Sequence, residues 1–384
     1  MKMTQDHAFV TFYSNHNVSP VSQDITNLEK HFQRRDSLFR SLGIPPSLVK
    51  GSSVVEFGPG SGHNAIFTAS LSPSSYFLVD GNTLGLTQTK EKLDQLNFKD
   101  YRIINSLFLD YASDEKFNLV WAENCIPHQS DPLLVLRHLS SFTQLSGIFV
   151  ATTISPISYL SEIIRRLLFN ICITTQVSLQ ASLDLLRPYL ASHLINLKGM
   201  SRPVDDWIID NILQPLEKRK LLTIPEVVRA LYNDFDFYAS SPQFVTDWRW
   251  YKEIVGEDRE FNNNAVDAYY RSNINLIDYR YSFDVQSVNF GQDLEDLCAE
   301  TWSLMAQIQQ GDSKKWQSFF DQLSKISTMI EKISPNTASS IVEASQYLQD
   351  GAPLDRELNA FPKWWGRGTQ YVSLIRRPLH YPGR

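Results

Sequence analysis

Residues 53–62 read S-V-V-E-F-G-P-G-S-G, an apolar run that ends in three glycines at alternate positions. A short apolar run bounded by glycine reads as a buried strand running into a turn. Glycines there admit backbone conformations closed to other residues and remove the Cβ that would block a ligand. The helix that follows offers its N-terminal N–H groups to a polar group of that ligand, so a nucleotide-like molecule is expected across the turn. A dinucleotide turn follows G-x-G-x-x-G, whereas Gly58, Gly60 and Gly62 give G-x-G-x-G with Glu56 two residues upstream. A pyrophosphate beside Glu56 would be repelled, and a cationic sulfonium or ammonium would not. Asp80 ends the next apolar run, 22 residues after Gly58. A carboxylate at that point can accept hydrogen bonds from both hydroxyls of an adenosine ribose.

Outward from this turn a regular alternation begins. Apolar runs at 53–57, 76–79, 101–109, 117–122 and 147–154 are separated by helical patterns ending near 70, over 83–96 and over 131–142. Strands alternating with helices predict a parallel sheet with helices on both faces. Upstream, Ile25, Leu28, Phe32, Leu38, Phe39 and Leu42 stand at helical spacing, and Gly43 with Pro45 and Pro46 closes that helix. Beyond Thr153 the alternation stops. Residues 156–230 read mainly as helices punctuated by Pro188, Pro203 and Pro215, and 293–333 as a helical hairpin broken at Gly311 and Asp312. Residues 235–290 hold 14 aromatics among 56 positions, well above the 12% of the whole chain, which marks them as a separate region. Segments 234–239 and 370–376 read as two further strands.

Composition bounds the function. The chain has 384 residues, 42% hydrophobic and 20% charged, which is ordinary globular usage and excludes disordered, collagenous and coiled-coil classes. A net charge of −6 argues against sequence-independent nucleic-acid binding, which needs a concentrated basic face. Cys125, Cys172 and Cys298 are far apart and odd in number, so neither a disulfide framework nor a metal clip is expected, and a reducing compartment fits. The eight histidines form no H-x-H or H-x-x-x-H pair, so no metal site is expected. The start of the chain lacks a secretory pattern. The stretch 167–183 is too polar for a membrane span of about 20 apolar residues. A soluble, cytoplasmic protein is the expectation.

With these residues in view, the sequence resembles the class I S-adenosylmethionine-dependent methyltransferase superfamily. The matching stretches are VVEFGPGSGHN at 54–64, YFLVDGN at 76–82, FNLVWAENCIPH at 117–128 and SGIFVAT at 146–152, in the expected order over roughly the first 155 residues. The resemblance implies a doubly wound, mostly parallel, seven-stranded Rossmann-like sheet whose last strands form an antiparallel pair, with 234–239 and 370–376 as candidates. The helical material then becomes a large insertion or cap. The implied division is a core over 1–155, a helical insertion over 156–233, a core strand over 234–244, an aromatic-rich and helical cap over 245–360, and a terminal strand and tail over 361–384. S-adenosyl-L-methionine is the implied cofactor. Glu56, Gly58, Gly60 and Gly62 would surround its methionine portion, Asp80 followed by Gly81 and Asn82 its ribose, and Ser106 and Leu107 its adenine. Glu123 and Asn124 complete that set. Two positions depart from the common pattern: no acidic residue stands at Ser106 and Leu107, leaving Asp110 or backbone groups for the adenine, and Asn118 replaces a frequent aspartate.

Ligands of such folds lie beyond the carboxyl ends of the strands, so Glu123, Asn124 and His128 should face the transferred methyl. Transfer from a sulfonium is an in-line displacement in which the protein mainly positions the acceptor. His128 titrates in the range of a general base, and Glu123 could serve as base or orient an amine. For the acceptor, Trp248, Arg249 and Tyr251 lie in one aromatic run, and Trp365 and Arg367 in another. Rings beside a guanidinium suit a sugar-like or anionic small molecule or a cation held over a ring, or else they staple the helical insert to the core. The expected function is methyl transfer to an oxygen or nitrogen of a small molecule, with neither nucleic acid nor membrane as partner. A non-catalytic cofactor-binding scaffold or sensor and a nicotinamide-dependent dehydrogenase are the alternatives.

Overall fold

The strand that carries the glycine turn lies at the centre of a sheet and is buried on both faces. In the computed structural model, which describes residues 8–16, 24–127, 129–173, 177–200, 202–215 and 221–378, the strand β1 is Ser53–Phe57. Its neighbours are β2 (Ser75–Asp80), β3 (Tyr101–Asn105), β4 (Phe117–Ala122), β5 (Thr143–Thr153), β6 (Phe235–Ser241) and β7 (Gln370–Arg376). The sheet runs β3-β2-β1-β4-β5-β7-β6. The first five strands are mutually parallel, and β7 is antiparallel to both β5 and β6. The result is a seven-stranded, mostly parallel but mixed α/β sheet.

Two compact units divide the chain. One comprises residues 1–153, 217–269 and 369–384, and the other 154–216 and 270–368. The first holds the whole sheet. Successive side chains of a strand point to opposite faces, so Val54 and Glu56 share one face and Val55 and Phe57 the other. Val54, Tyr76, Leu78, Leu119, Trp121 and Val150 form a cluster with Phe39 of the helix Leu28–Ser41 and with Ala65, Ile66 and Phe67 of the helix Ala65–Ser70. On the other face Phe57 meets Tyr111 and Phe142, and Phe77 meets Phe117, in edge-on or tilted ring contacts. Helix Thr83–Gln95 packs on β2 and β3, and helix Pro132–Ser140 on β4 and β5. Asn118 also finds its role here. Its Oδ1 accepts from both the backbone N and the Oγ of Ser53 at 3.0 Å, pinning the start of β4 to β1.

The second unit is helical. Helices Leu160–Arg166, Leu179–Leu194, Val288–Gln309, Lys315–Ile330 and Pro335–Gln349 are its longest elements. Pro188 does not punctuate, as the sequence suggested, but lies inside helix Leu179–Leu194. The expected hairpin continues into a third helix, Pro335–Gln349, whose Pro335 occupies the first turn where a missing N–H is harmless. Arg165 is fully buried there and donates to the carbonyls of Ser161, Phe361 and Trp364 at 2.9–3.0 Å. Among the described residues no helix is long and apolar enough to cross a membrane.

Candidate functional site

The carboxyl ends of β1, β2, β3 and β4 converge, and with them the residues that the motifs single out. Gly58 N donates to Val79 O at 2.9 Å, and Gly60 N to Asp80 Oδ2 at 3.3 Å, so the turn after β1 is tied to the end of β2. The three glycines have φ of +75°, +57° and +78°. Gly62 is needed for a close approach as well. A Cβ there would lie 2.7 Å from the Cα of Thr89. Around a Cβ built on Gly60 nothing lies within 4 Å. The turn is thus clamped on its inner side, where Thr89 Oγ1 donates to Gly60 O at 2.9 Å, and open at its apex.

Gly85 belongs to this geometry although the motif did not include it. A Cβ on Gly85 would stand 2.7 Å from Gly60 O. A glycine inside a helix is unfavourable by about 1 kcal/mol against alanine, which is the sequence signal that a second backbone comes close. Asn82 caps the same helix, its Oδ1 accepting from Gly85 N at 3.1 Å.

Two carboxyl groups are held close to the turn. Asp80 accepts from Asn82 N at 2.8 Å. Burial pushes its pKa up to about 6, against the pull of the N–H groups of Asn82, Gly60 and Gly81. Glu56 is buried, with Tyr76 donating its hydroxyl to Oε2. Burial again dominates and carries Glu56 to about 7, with nearby Glu123 adding to the rise and the Tyr76 hydroxyl and Arg35 opposing it. Ser106 N donates to Asp80 O at 3.1 Å, so the Ser106 and Leu107 segment follows β2's end. Beyond β4, Asn124 takes a φ of +53° with its N–H on Thr152 Oγ1 at 2.9 Å. Cys125 seats on Gly58, where an added Cβ would come within 2.8 Å of its own.

Glu123, expected as a base or as a residue that orients an amine, has both carboxylate oxygens occupied by donors. Its Oε1 accepts from Arg35 Nη1 at 2.9 Å, Asn64 Nδ2 at 3.1 Å and Tyr371 Oη at 2.7 Å. Its Oε2 accepts from Arg35 Nη2 and Trp121 Nε1, both at 2.9 Å. Five donors saturate the carboxylate. Burial alone would raise its pKa, but the Arg35 guanidinium and the other donors outweigh it and hold Glu123 below the usual carboxylate value. His128, the other catalytic candidate, lies outside the described residues.

The helix Leu28–Ser41 supplies two site residues that apolar periodicity passes over. His31, Arg35 and Phe39 stand at i, i+4 and i+8 and are all buried. His31 Nε2 lies 2.7 Å from His63 O, directly after the glycine turn. Arg35 lies over the Trp121 ring at 5.3 Å, and Phe39 stacks on that ring at 4.6 Å. The signal was available: polar residues one turn apart on the face that also carries a core phenylalanine. His63 itself is paired through Nδ1 with Ser61 Oγ at 2.7 Å, and burial lowers its pKa to about 4, so its ring is neutral at pH 7.

Of the five residues expected at the acceptor, two are exposed rings and three have protein partners. Trp248 and Tyr251 are 91% and 72% exposed, so neither ring is held against protein as a clamp requires. The Arg249 guanidinium is bound to both oxygens of Asp247 and to Asp258 O. In the helical unit Trp365 is fully buried under Arg165, whose Cζ is 3.6 Å from the ring centroid. Arg367 donates to Asn275 O and Tyr281 O, both at 2.6 Å. Trp365 and Arg367 therefore fasten the helical unit internally.

With this geometry in place, the comparisons with known proteins are decisive at one level. The family model described as a methyltransferase domain matches residues 48–254. The chain belongs to the methyltransferase-domain family. This places it in the class I superfamily, with S-adenosylmethionine as its cofactor. Solved structures similar to the chain include PKMT2 from Rickettsia typhi, 14% identical at a TM-score of 0.39 over 54% of this chain and 42% of that one. The CcbJ methyltransferase from Streptomyces caelestis is 21% identical at 0.28 over 33% and 50%. The N-methyltransferase NodS from Bradyrhizobium japonicum, in complex with S-adenosyl-L-homocysteine, is 12% identical at 0.29 over 38% and 74%. The chain thus spans half or less of the length of the first two. None of the curated proteins compared matches it. The residues around the turn leave room for such a cofactor: nothing lies within 4 Å of a Cβ built on Gly60, and two carboxyl groups, Asp80 and the buried Glu56, stand beside it.

Because Arg35 and Glu123 neutralise each other inside the protein, deleting one strands the other. Arg35→Ala is expected to destabilise the sheet unit by about 3–5 kcal/mol. A urea titration followed by tryptophan fluorescence reads this as a lower midpoint for that unit, and an unchanged midpoint would show the pair to be dispensable.

Proposed function

We propose that the protein transfers a methyl group from S-adenosylmethionine to an oxygen or nitrogen of a small-molecule acceptor. The observation that carries the reading is the buried Glu56 carboxyl group beside a glycine turn whose apex is open. A pyrophosphate is disfavoured there and a positive ligand favoured. The net charge of −6 supports a small molecule over a nucleic acid as acceptor. The donor supplies an electrophilic methyl carbon on a sulfonium. For the protein's part, Asp80 receives the two ribose hydroxyls, Gly58, Gly60 and Gly62 let the backbone approach, and Glu56 meets the positive charge. With Glu123 saturated, His128 is the proposed base for an acceptor that must lose a proton.

Isotope-labelled S-adenosylmethionine incubated with the protein and fractions of cell extract should yield a labelled small molecule, identified by mass spectrometry. His128→Ala should lower that yield and leave S-adenosylhomocysteine binding intact. Binding without labelled product in any fraction would favour the scaffold or sensor reading, and binding of a nicotinamide dinucleotide the dehydrogenase.

Asp80→Ala removes two ribose hydrogen bonds worth about 2–3 kcal/mol together. Titration calorimetry should then show S-adenosylhomocysteine binding about 30- to 150-fold weaker; wild-type affinity would take Asp80 out of the ribose role.

The raised pKa of Glu56, about 7, gives a pH signature. Above that value the carboxylate is ionised and attracts a cation, and as pH falls through it the attraction is lost. Affinity for S-adenosylmethionine should therefore fall by up to about tenfold between pH 8 and pH 6. The stability of the ligand-free protein runs the other way: an acid whose folded pKa is raised binds more protons when folded, so stability falls as pH rises from the ordinary value of 4.5 to about 7 and is level above that. Glu56→Gln should flatten both trends, leaving only the contribution of Asp80 near pH 6. Wild-type pH slopes in the variant would exclude Glu56.

A further inference from the structure

The glycine turn is an entropic liability. Three residues with positive φ in a five-residue span are held in one conformation, and fixing each residue's backbone opposes folding by about 1–2 kcal/mol. A turn ordered before its ligand arrives binds more tightly than one that must be ordered by it. Two tethers come from the sheet and its neighbouring helix: Asp80 on Gly60 N, and Thr89 on Gly60 O. The third comes from elsewhere in the chain. His31 Nε2 meets His63 O at 2.7 Å, and because a carbonyl can only accept, the imidazole carries its proton on Nε2 and donates it.

One helical turn further along, Arg35 reaches Glu123 with both Nη atoms at 2.9 Å. The same helix face therefore grips the segment after β1 and the segment after β4, the two sides of the point where strand order reverses. Asn64, next to His63, closes the loop by donating to the same Glu123. His31 is only 5% exposed, and burying an imidazole without a partner is unfavourable, so the contact accounts for the residue.

We propose that the helix Leu28–Ser41 is a positioning element of the cofactor cradle, in which His31 holds the glycine turn in its binding conformation through the His63 carbonyl while Arg35 fixes Glu123. His31 is a positioning residue: it acts on the ligand through the turn. The proposal rests on reading that turn as the seat of S-adenosylmethionine.

The test is titration calorimetry with S-adenosylhomocysteine, on the full chain, with thermal unfolding of each ligand-free variant beside it. His31→Leu removes the donor and should weaken binding about five- to tenfold at a temperature where the variant is fully folded. His31→Gln returns an N–H near the position of Nε2 and should restore affinity to within about twofold. Should the leucine variant not fold, His31→Asn, whose amide is too short to reach, takes its place. A residue that serves stability alone would shift the unfolding temperature and leave the dissociation constant unchanged; that result, or a glutamine variant as weak as the leucine one, overturns the proposal. A wild-type protein that binds no S-adenosylhomocysteine would instead bring down the cradle reading itself, and the clamp with it.

Discussion

A single buried carboxylate organises the sheet unit. Glu123 receives five hydrogen bonds from four separate stretches of chain: Arg35 on the helix Leu28–Ser41, Asn64 after the glycine turn, Trp121 on β4 and Tyr371 on β7. A charge buried without such compensation would cost several kcal/mol, so each donor is obliged to stay in place. The consequence is geometric. The loops that follow β1 and β4 are joined by one polar knot, to which the helix Leu28–Ser41 also belongs.

Next to this saturated carboxylate sits an unsaturated one. Glu56 faces the same side of the sheet, and among the described residues it takes the Tyr76 hydroxyl as its side-chain donor, where Glu123 takes five hydrogen bonds. The pair shows how environment separates two identical side chains: the guanidinium keeps Glu123 ionised, whereas burial brings Glu56 to about 7. Asp80, at about 6, is intermediate because three backbone N–H groups offset part of its burial.

The fold was legible where a local pattern dictates it. The run at 53–57 became β1 with the same bounds, and 370–376 became β7, since apolar runs and glycine turns are properties of consecutive residues. The glycine turn, Asp80 and Asn124 came together because parallel strands in this order must bring their carboxyl ends to one edge. What the sequence could not show was pairing at a distance. Sequence does not show that Glu123 is filled with donors, because Arg35, Asn64 and Tyr371 lie 88, 59 and 248 residues away, although Trp121 is only two away. Trp365 and Arg367 looked like acceptor contacts because nothing in their neighbourhood reveals the buried Arg165 or the carbonyls of Asn275 and Tyr281. Apolar periodicity does not mark His31 and Arg35, which are buried through their polar partners.

The most direct measurement of the account is a crystal structure of the protein grown with S-adenosylhomocysteine. The account predicts the ligand across the turn of residues 58–62, its ribose hydroxyls on Asp80 and its amino-acid end toward Glu56, with Glu123 still bound to Arg35. An empty turn, or a pyrophosphate lodged in it, would contradict the account.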